Sequence, residues 1–249
     1  MLTSLSRWLA SLAMRTAAER RELLKDVYRL ARTCVACPLH ETRNSVVFGS
    51  GNADAELMFV GEAPGATEDL RGMPFVGQAG RLLERLLGEI GIAREDVFIA
   101  NTVKCRPPGN RDPHPHEIDA CRHFLYSQLE LIEPTVVCTL GNFATKLLRG
   151  EPSGISRIHG QAEVRAIGPR TVRLYPLFHP AAALYTPSTL EMLRADFLRI
   201  PDLLRLGPPA TSAPEPARSA PEPVTSAPEP AKSAPEPARS APDGQLGLF

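Results

Sequence analysis

The chain of 249 residues is short of several things, and each shortage excludes a class of protein. It has no net charge: 28 bases balance 28 acids, so no uniformly basic surface exists to hold nucleic acid by charge alone. From Thr211 onward there are five acids and three bases, which leaves 25 bases against 23 acids in the remainder. That excess is too small to diagnose DNA binding, and any basic surface must be a local patch. No apolar run approaches the roughly 20 residues that a membrane-spanning helix needs. Arg7 and Arg15 interrupt the N-terminal apolar stretch, which reads as an amphipathic helix with Leu2, Leu5, Trp8, Leu9 and Leu12 on one face rather than as an export signal. Cysteines number five, an odd count, so the chain is expected to be a cytoplasmic protein with reduced thiols and no membrane association. In that setting, grouped cysteines suggest a metal before a disulfide. What the chain does have is a 43% hydrophobic content, ample for a core and incompatible with wholesale disorder.

The C-terminal segment separates first. A seven-residue repeat, "SAPEPAR SAPEPVT SAPEPAK SAPEPAR SAP", runs over residues 212–242, and two prolines in each full repeat forbid a helix. It reads as a disordered, extended, semi-rigid linker that reaches roughly 90–100 Å at about 3.1 Å per residue. Beyond it, "DGQLGLF" brings apolar residues back at the end. The organisation expected is an N-terminal extension (1–22), a folded domain (23–206), the proline-rich linker (207–243) and a short tail (244–249).

Within the folded domain, strand-like apolar runs alternate with helical patterns. The strands are "ELMFVG" (56–61), "DVFIAN" (96–101), "TVVCTLG" (135–141) and "VRLYPLFHP" (172–180); helices are expected over 79–91, 115–132, 142–150 and 189–204. This alternation predicts an α/β fold, with a mostly parallel four-stranded sheet between two helical layers. Sites in such sheets form beyond the carboxyl ends of the strands. The polar and unusual residues fall there: "GEAPGATEDLRGMPFVGQAG" (61–80), Asn101, Gly141-Asn142 and His179-Pro180.

Four cysteines, Cys34, Cys37, Cys105 and Cys121, form a plausible single four-thiolate set, which zinc and a [4Fe–4S] cluster both accept; buried free thiols are the plainer alternative. Cys138, inside a strand run, reads as a small buried hydrophobe. The glycine-rich stretch offers backbone amides and a helix N-terminus to an anion, but its spacing matches neither the P-loop nor the dinucleotide fingerprint. Turn formation alone accounts for Gly61, Pro64 and Gly65, not for Phe75, which either stacks on a flat ligand or packs in the core. Asn101 offers a donor and an acceptor side by side, suited to a nucleobase edge or to a turn. His179 is placed to donate a hydrogen bond or a proton, although single histidines more often serve structure. His114 and His116 precede a helix and read as a solvated loop.

Taken together, "GEAPG", "PFVGQAG", "NTVKCRPPGNRDP", the helix carrying Cys121 and "FHPAAAL", in this order, resemble the family 4 uracil-DNA glycosylases, the iron–sulfur branch of that superfamily. The resemblance covers roughly residues 23–206. It implies a monomeric repair enzyme of the bacterial cytosol and nucleoid that flips uracil out of DNA and hydrolyses its glycosidic bond. It implies that Cys34, Cys37, Cys105 and Cys121 hold a structural [4Fe–4S] cluster and that Gly61, Glu62, Ala63, Phe75, Asn101 and His179 bind uracil. Phe75 would stack on the base, Asn101 would read its edge, and His179 would lie against the carbonyl beside the scissile nitrogen. Ala63 stands where some relatives carry an aspartate, so among the nearby carboxylates Glu62, Glu68 and Asp69, Glu62 is the expected activator of water. Leu184, after "FHPAAA", is the expected wedge that fills the gap left by the flipped base. The tail resembles the bacterial sliding-clamp-binding motif, with Gln245, Leu246, Leu248 and Phe249 as anchors and Gly247 as a departure from the usual pattern. Competing readings are a broader-specificity glycosylase of the same superfamily, a non-catalytic iron–sulfur DNA-binding module and a zinc-stabilised nucleotide-binding protein.

Overall fold

The computed structural model describes residues 15–168 and 170–209. The expected helix of residues 2–12, the repeats and the clamp-binding-like tail lie outside the described residues.

The first helix, α1 (Ala17–Arg32), starts at a capping box: the Thr16 hydroxyl accepts from Glu19 N, and Glu19 Oε2 accepts from Thr16 N at 2.7 Å. It crosses the boundary expected at residue 22 as one continuous helix. Arg20, on its inner face, donates to the Leu131 carbonyl at 3.0 Å and thereby fastens α1 to α5 (Pro115–Ile132). A short α2 (Leu39–Thr42) follows.

The four apolar runs form β2 (Leu57–Gly61), β3 (Phe98–Asn101), β4 (Val136–Leu140) and β6 (Arg170–Leu177), all parallel. Every residue of β2, β3 and β4 is buried, as continuous apolar strands covered on both faces must be. The sheet is larger than the four strands expected. It has six, in the order β1-β3-β2-β4-β6-β5, with β1 (Ser50–Gly51) and β5 (Glu163–Ile167) antiparallel at its edges. Both escape an apolar-run criterion: β1 is two residues long, and β5 ("EVRAI") is partly exposed and polar on one face.

Alternation along β2 feeds two separate cores. Met58 and Val60 pack with Leu24, Phe124 and Leu129, whereas Leu57 and Phe59 pack with Leu83, Leu87 and Phe197. The fold is therefore a three-layer sandwich. One outer layer contains α1, α5 and α6 (Asn142–Arg149), which a short α7 (Ile155–Ile158) follows in the chain; the other contains α4 (Gln78–Glu89), α9 (Pro187–Phe197) and α10 (Ile200–Arg205). The helix expected over 189–204 divides at Leu198–Arg199, next to Pro201, which has no N–H to continue the ladder. Cys138 is fully buried in β4, as a small apolar residue should be. Because β3 and β4 flank β2 on opposite sides, the chain reverses its winding beside the end of β2, and a crevice opens there.

Candidate active site

The crevice is a cleft of about 400 Å³ lined by Glu62, Ala63, Phe75, Asn101, Arg111 and His179, among others. Six of the expected site residues meet at or beneath it. Gly61 and Asn101 are register partners at the ends of β2 and β3. A side chain on Gly61 has no room: its Cβ would lie 2.5 Å from Asn101 Oδ1 and 2.8 Å from the Phe75 ring. The base of the cleft is thus backbone with a carboxamide and an aromatic ring laid against it. Asn101 is 1% exposed, and its Oδ1 is buried with no hydrogen-bond partner among the described residues. An orphaned buried acceptor costs about 1–3 kcal/mol and is kept where a ligand satisfies it.

Phe75 both packs in the second core and faces the cleft, with its ring centroid 5.7 Å from that of His179. Its backbone is left-handed (φ 52°), a conformation that bulky residues avoid. Three contacts impose it. Glu68, on α3 (Ala66–Arg71), accepts from the amides of Val76 (3.0 Å) and Gly77 (2.8 Å), and Arg94 donates to the Pro74 carbonyl at 2.6 Å. Gly80, in the first turn of α4, passes so close that a Cβ would sit 1.8 Å from the Phe75 carbonyl oxygen.

His179 follows β6 and caps the short α8 (Pro180–Ala183): its Nδ1 accepts from Ala181 N at 3.1 Å. A nitrogen that accepts carries no proton, so the neutral ring holds its proton on Nε2. Burial pushes the imidazole pKa down to about 4, against a small opposing pull from Glu68. His179 is therefore a neutral donor at physiological pH. Burial also lifts Glu62 to about 7, reinforced by the charge of Asp112 and a hydrogen bond between the two carboxyls.

The other expected residues are placed less centrally. Asp69, named with Glu62 as a nearby carboxylate, is a structural pin: it is 1% exposed and accepts from Asn44 N at 2.9 Å, from Asn44 Nδ2 at 2.6 Å and from Ser45 N at 3.2 Å. Leu184 lies outside the cleft, in a side groove with Gln78, Arg81 and Arg85, and is partly buried against the second core. Its neighbour Tyr185 is 82% exposed. His114 starts α5 as its N-cap and, like His116, is exposed. Sequence reasoning gave no role to Arg111 or Asp112, and it weighed Glu68 only as a carboxylate near the water, not as the clamp on the Val76 and Gly77 amides. Arg111 reaches the cleft because Glu117, 1% exposed, grips it through both oxygens at 2.7 and 2.9 Å, which holds the Glu117 carboxyl down at about 2. The acid six residues downstream was the one available signal.

Cys34, Cys37, Cys105 and Cys121 line one narrow cavity with Ala31, Ala36 and Phe124. Two N–H groups address its sulfurs: Arg43 Nη1 lies 3.3 Å from Cys105 Sγ, and Lys104 N lies 3.3 Å from Cys121 Sγ. Burial raises the thiol pKa of Cys37 and Cys105, and that of Cys121 to about 11. Among the described residues no three His, Cys, Asp or Glu side chains are grouped closely enough to hold a single metal ion.

A backbone-floored cleft at a parallel sheet edge, with an aromatic face, an unpartnered carboxamide and a neutral histidine, defines a site for a flat, hydrogen-bonding ring. The sequence signature of the uracil DNA glycosylase superfamily matches residues 48–200, a span that contains all of these groups. A type-4 uracil-DNA glycosylase of Archaeoglobus fulgidus is 46% identical over 187 residues, 73% of this chain and 94% of that protein. Others from Thermotoga maritima (48% identical; 66% of this chain, 85% of that protein) and Saccharolobus solfataricus (45%; 71% and 84%) are similarly related. The chain belongs to the uracil-DNA glycosylase superfamily, within its type-4 branch.

Proposed function

We propose that the protein removes uracil from DNA by hydrolysing its N-glycosidic bond and leaves an abasic site. The observation that carries this reading is the buried, unpartnered Asn101 Oδ1 beside the Phe75 ring. A base inside a duplex is out of reach, so the nucleotide is extruded into the cleft. Phe75 stacks on the ring. Asn101 accepts from uracil N3–H and donates to O4, whereas cytosine presents the opposite pattern and leaves the carboxamide mispaired. His179 Nε2–H donates to the carbonyl beside the scissile nitrogen and stabilises the charge that leaves with uracil. Glu62, about half ionised at neutral pH, accepts the proton of the attacking water. Gly61 and Ala63 bring backbone up to the base. Leu184 anchors the loop from which Tyr185 projects, and the two together form the wedge.

The cysteine set fits a [4Fe–4S] cluster better than a lone zinc ion, since four thiols share one cavity without converging on a single-ion position. Cys34, Cys37, Cys105 and Cys121 would hold it, and bound there it would supply a covalent cross-link between the segment after α1, the loop after β3 and α5. The enzyme acts as a monomer, every group named coming from one chain, and works in the cytoplasm. Among the described residues no helix is long and apolar enough to cross a membrane. Through Gln245, Leu246, Leu248 and Phe249 the tail binds a DNA polymerase sliding clamp.

Uracil release from a labelled oligonucleotide tests the reading. Wild type is expected to release uracil, with Asn101→Asp and His179→Ala each slower by about 10²–10³-fold. Absence of release by wild type refutes it. Deletion of residues 245–249 is expected to abolish clamp binding and to leave activity on short oligonucleotides unchanged.

A further inference from the structure

One buried side chain close to the cleft has no part in the steps above. Lys104 is 1% exposed, yet it does not line the cleft; it borders the cysteine cavity behind it. Its ammonium donates to the Asn101 carbonyl at 2.8 Å and to Gln128 Oε1 at 2.6 Å, and it lies 5.8 Å from the centre of the Phe48 ring. Gln128, fully buried on α5, passes the link on by donating to the Phe48 carbonyl at 2.8 Å. A lysine buried to this degree is costly unless its donors are satisfied; here two of the three N–H groups have acceptors, and the ammonium lies over the Phe48 ring.

The side-chain carboxamide of Asn101 itself shows the opposite condition. The Asn101 side chain is buried with an acceptor that nothing in the described residues satisfies. No hydrogen bond of that oxygen orients it, so its direction depends on packing and on the backbone that carries it. That backbone is fixed on one side by pairing with Gly61 and on the other by the Lys104 ammonium. The segment between them is fastened too: Thr102 N donates to the Gly61 carbonyl at 2.9 Å, and Thr102 Oγ1 donates to the Glu62 carbonyl at 2.5 Å.

We propose that Lys104 is the positioning residue of the base-reading group: held between the Asn101 carbonyl and Gln128, it fixes the end of β3 so that the Asn101 carboxamide stands ready in the cleft. Because Lys104 N also addresses Cys121 Sγ, one residue joins the base-reading strand end to the cysteine-bearing helix. This rests on the uracil-excision reading, and the test separates the two.

The full chain is compared with Lys104→Met, Asn101→Ala and the double variant, with thermal denaturation to verify folding. Uracil release gives kcat and KM, free uracil serves as a product inhibitor, and DNA containing an abasic site is the binding control. Lys104→Met is expected to lower kcat and weaken inhibition by free uracil about tenfold each, the scale of one lost charged hydrogen bond, with abasic-DNA affinity unchanged. In the Asn101→Ala background the same substitution is expected to add nothing, since it acts through Asn101. Unchanged inhibition by uracil in a folded Lys104→Met protein overturns the proposal, as does a parallel loss of abasic-DNA binding or an additive loss in the double variant. If Lys104→Met does not fold, Gln128→Leu, which removes one of the two acceptors, is read by the same measurements. A loss of about threefold in uracil inhibition is then expected, and none overturns the proposal. Wild type that releases no uracil refutes the excision reading itself, whatever the variants do.

Discussion

The candidate cleft and the cysteine cavity lie on either side of the same short segment, residues 101–105, and they are built on opposite terms. In the cavity, polar hydrogens point inward at the sulfurs and the neighbouring Lys104 ammonium is held by two acceptors. In the cleft, an acceptor is left open, an aromatic residue is held in a left-handed backbone, and a carboxyl is lifted to about 7. One region is tied into the fold by hydrogen bonds from its surroundings, and the other is left open to a ligand. Unsatisfied and strained groups gather where a ligand is to complete them, and satisfied ones where the fold is to be held.

The sharpest way to break this contrast is to fill the floor of the cleft. Gly61→Ala puts a methyl group against both Asn101 Oδ1 and the Phe75 ring, and uracil release is expected to fall by about 10³-fold or more, with the fold retained by circular dichroism. Cys121→Ser attacks the other region. It is expected to remove the absorbance near 400 nm of a bound cluster and to lower stability by about 2–4 kcal/mol in denaturant titration, with a smaller effect on release by the molecules that remain folded. The mildest test concerns the proton. Only ionised Glu62 accepts it, so kcat is expected to rise with pH and level off above about 7, while His179, neutral down to about 4, adds no inflection in that range. Glu62→Gln is expected to flatten that profile and lower the plateau by about 10–100-fold.

Much of the scaffold was legible because its physics is local. The four central strands are continuous apolar runs, and the helix over 115–132 carries its own start signals in Pro115 and Glu117. The edge strands were not legible, since a two-residue strand and a half-polar one exist only through their neighbours' ladders. The site divides the same way. Asn101 and His179 were visible as polar residues ending strands, but alone Asn101 reads equally as a turn residue, and only its burial without a partner separates the two. Asp112 could not be matched with Glu62 from spacing, because only the tertiary fold brings the segment before α5 to the end of β2. Leu184 is the wedge that its place after "FHPAAA" suggests, but the fold uses its apolar side chain as an anchor while Tyr185 takes the exposed position.

Phe75 and Gly80 have a consequence for the timing of recognition. Because the glycine's backbone lies against the Phe75 carbonyl within the fold itself, the ring is set at its angle when the chain folds and not when a ligand such as the proposed base arrives. The entropy of ordering an aromatic side chain is thereby removed from the binding step and borne permanently by the native state. Positions 75 and 80 are sterically coupled, since any larger residue at 80 collides with the Phe75 carbonyl and discards its geometry. A variant that relaxed this loop could become a more durable protein and a poorer reader of bases.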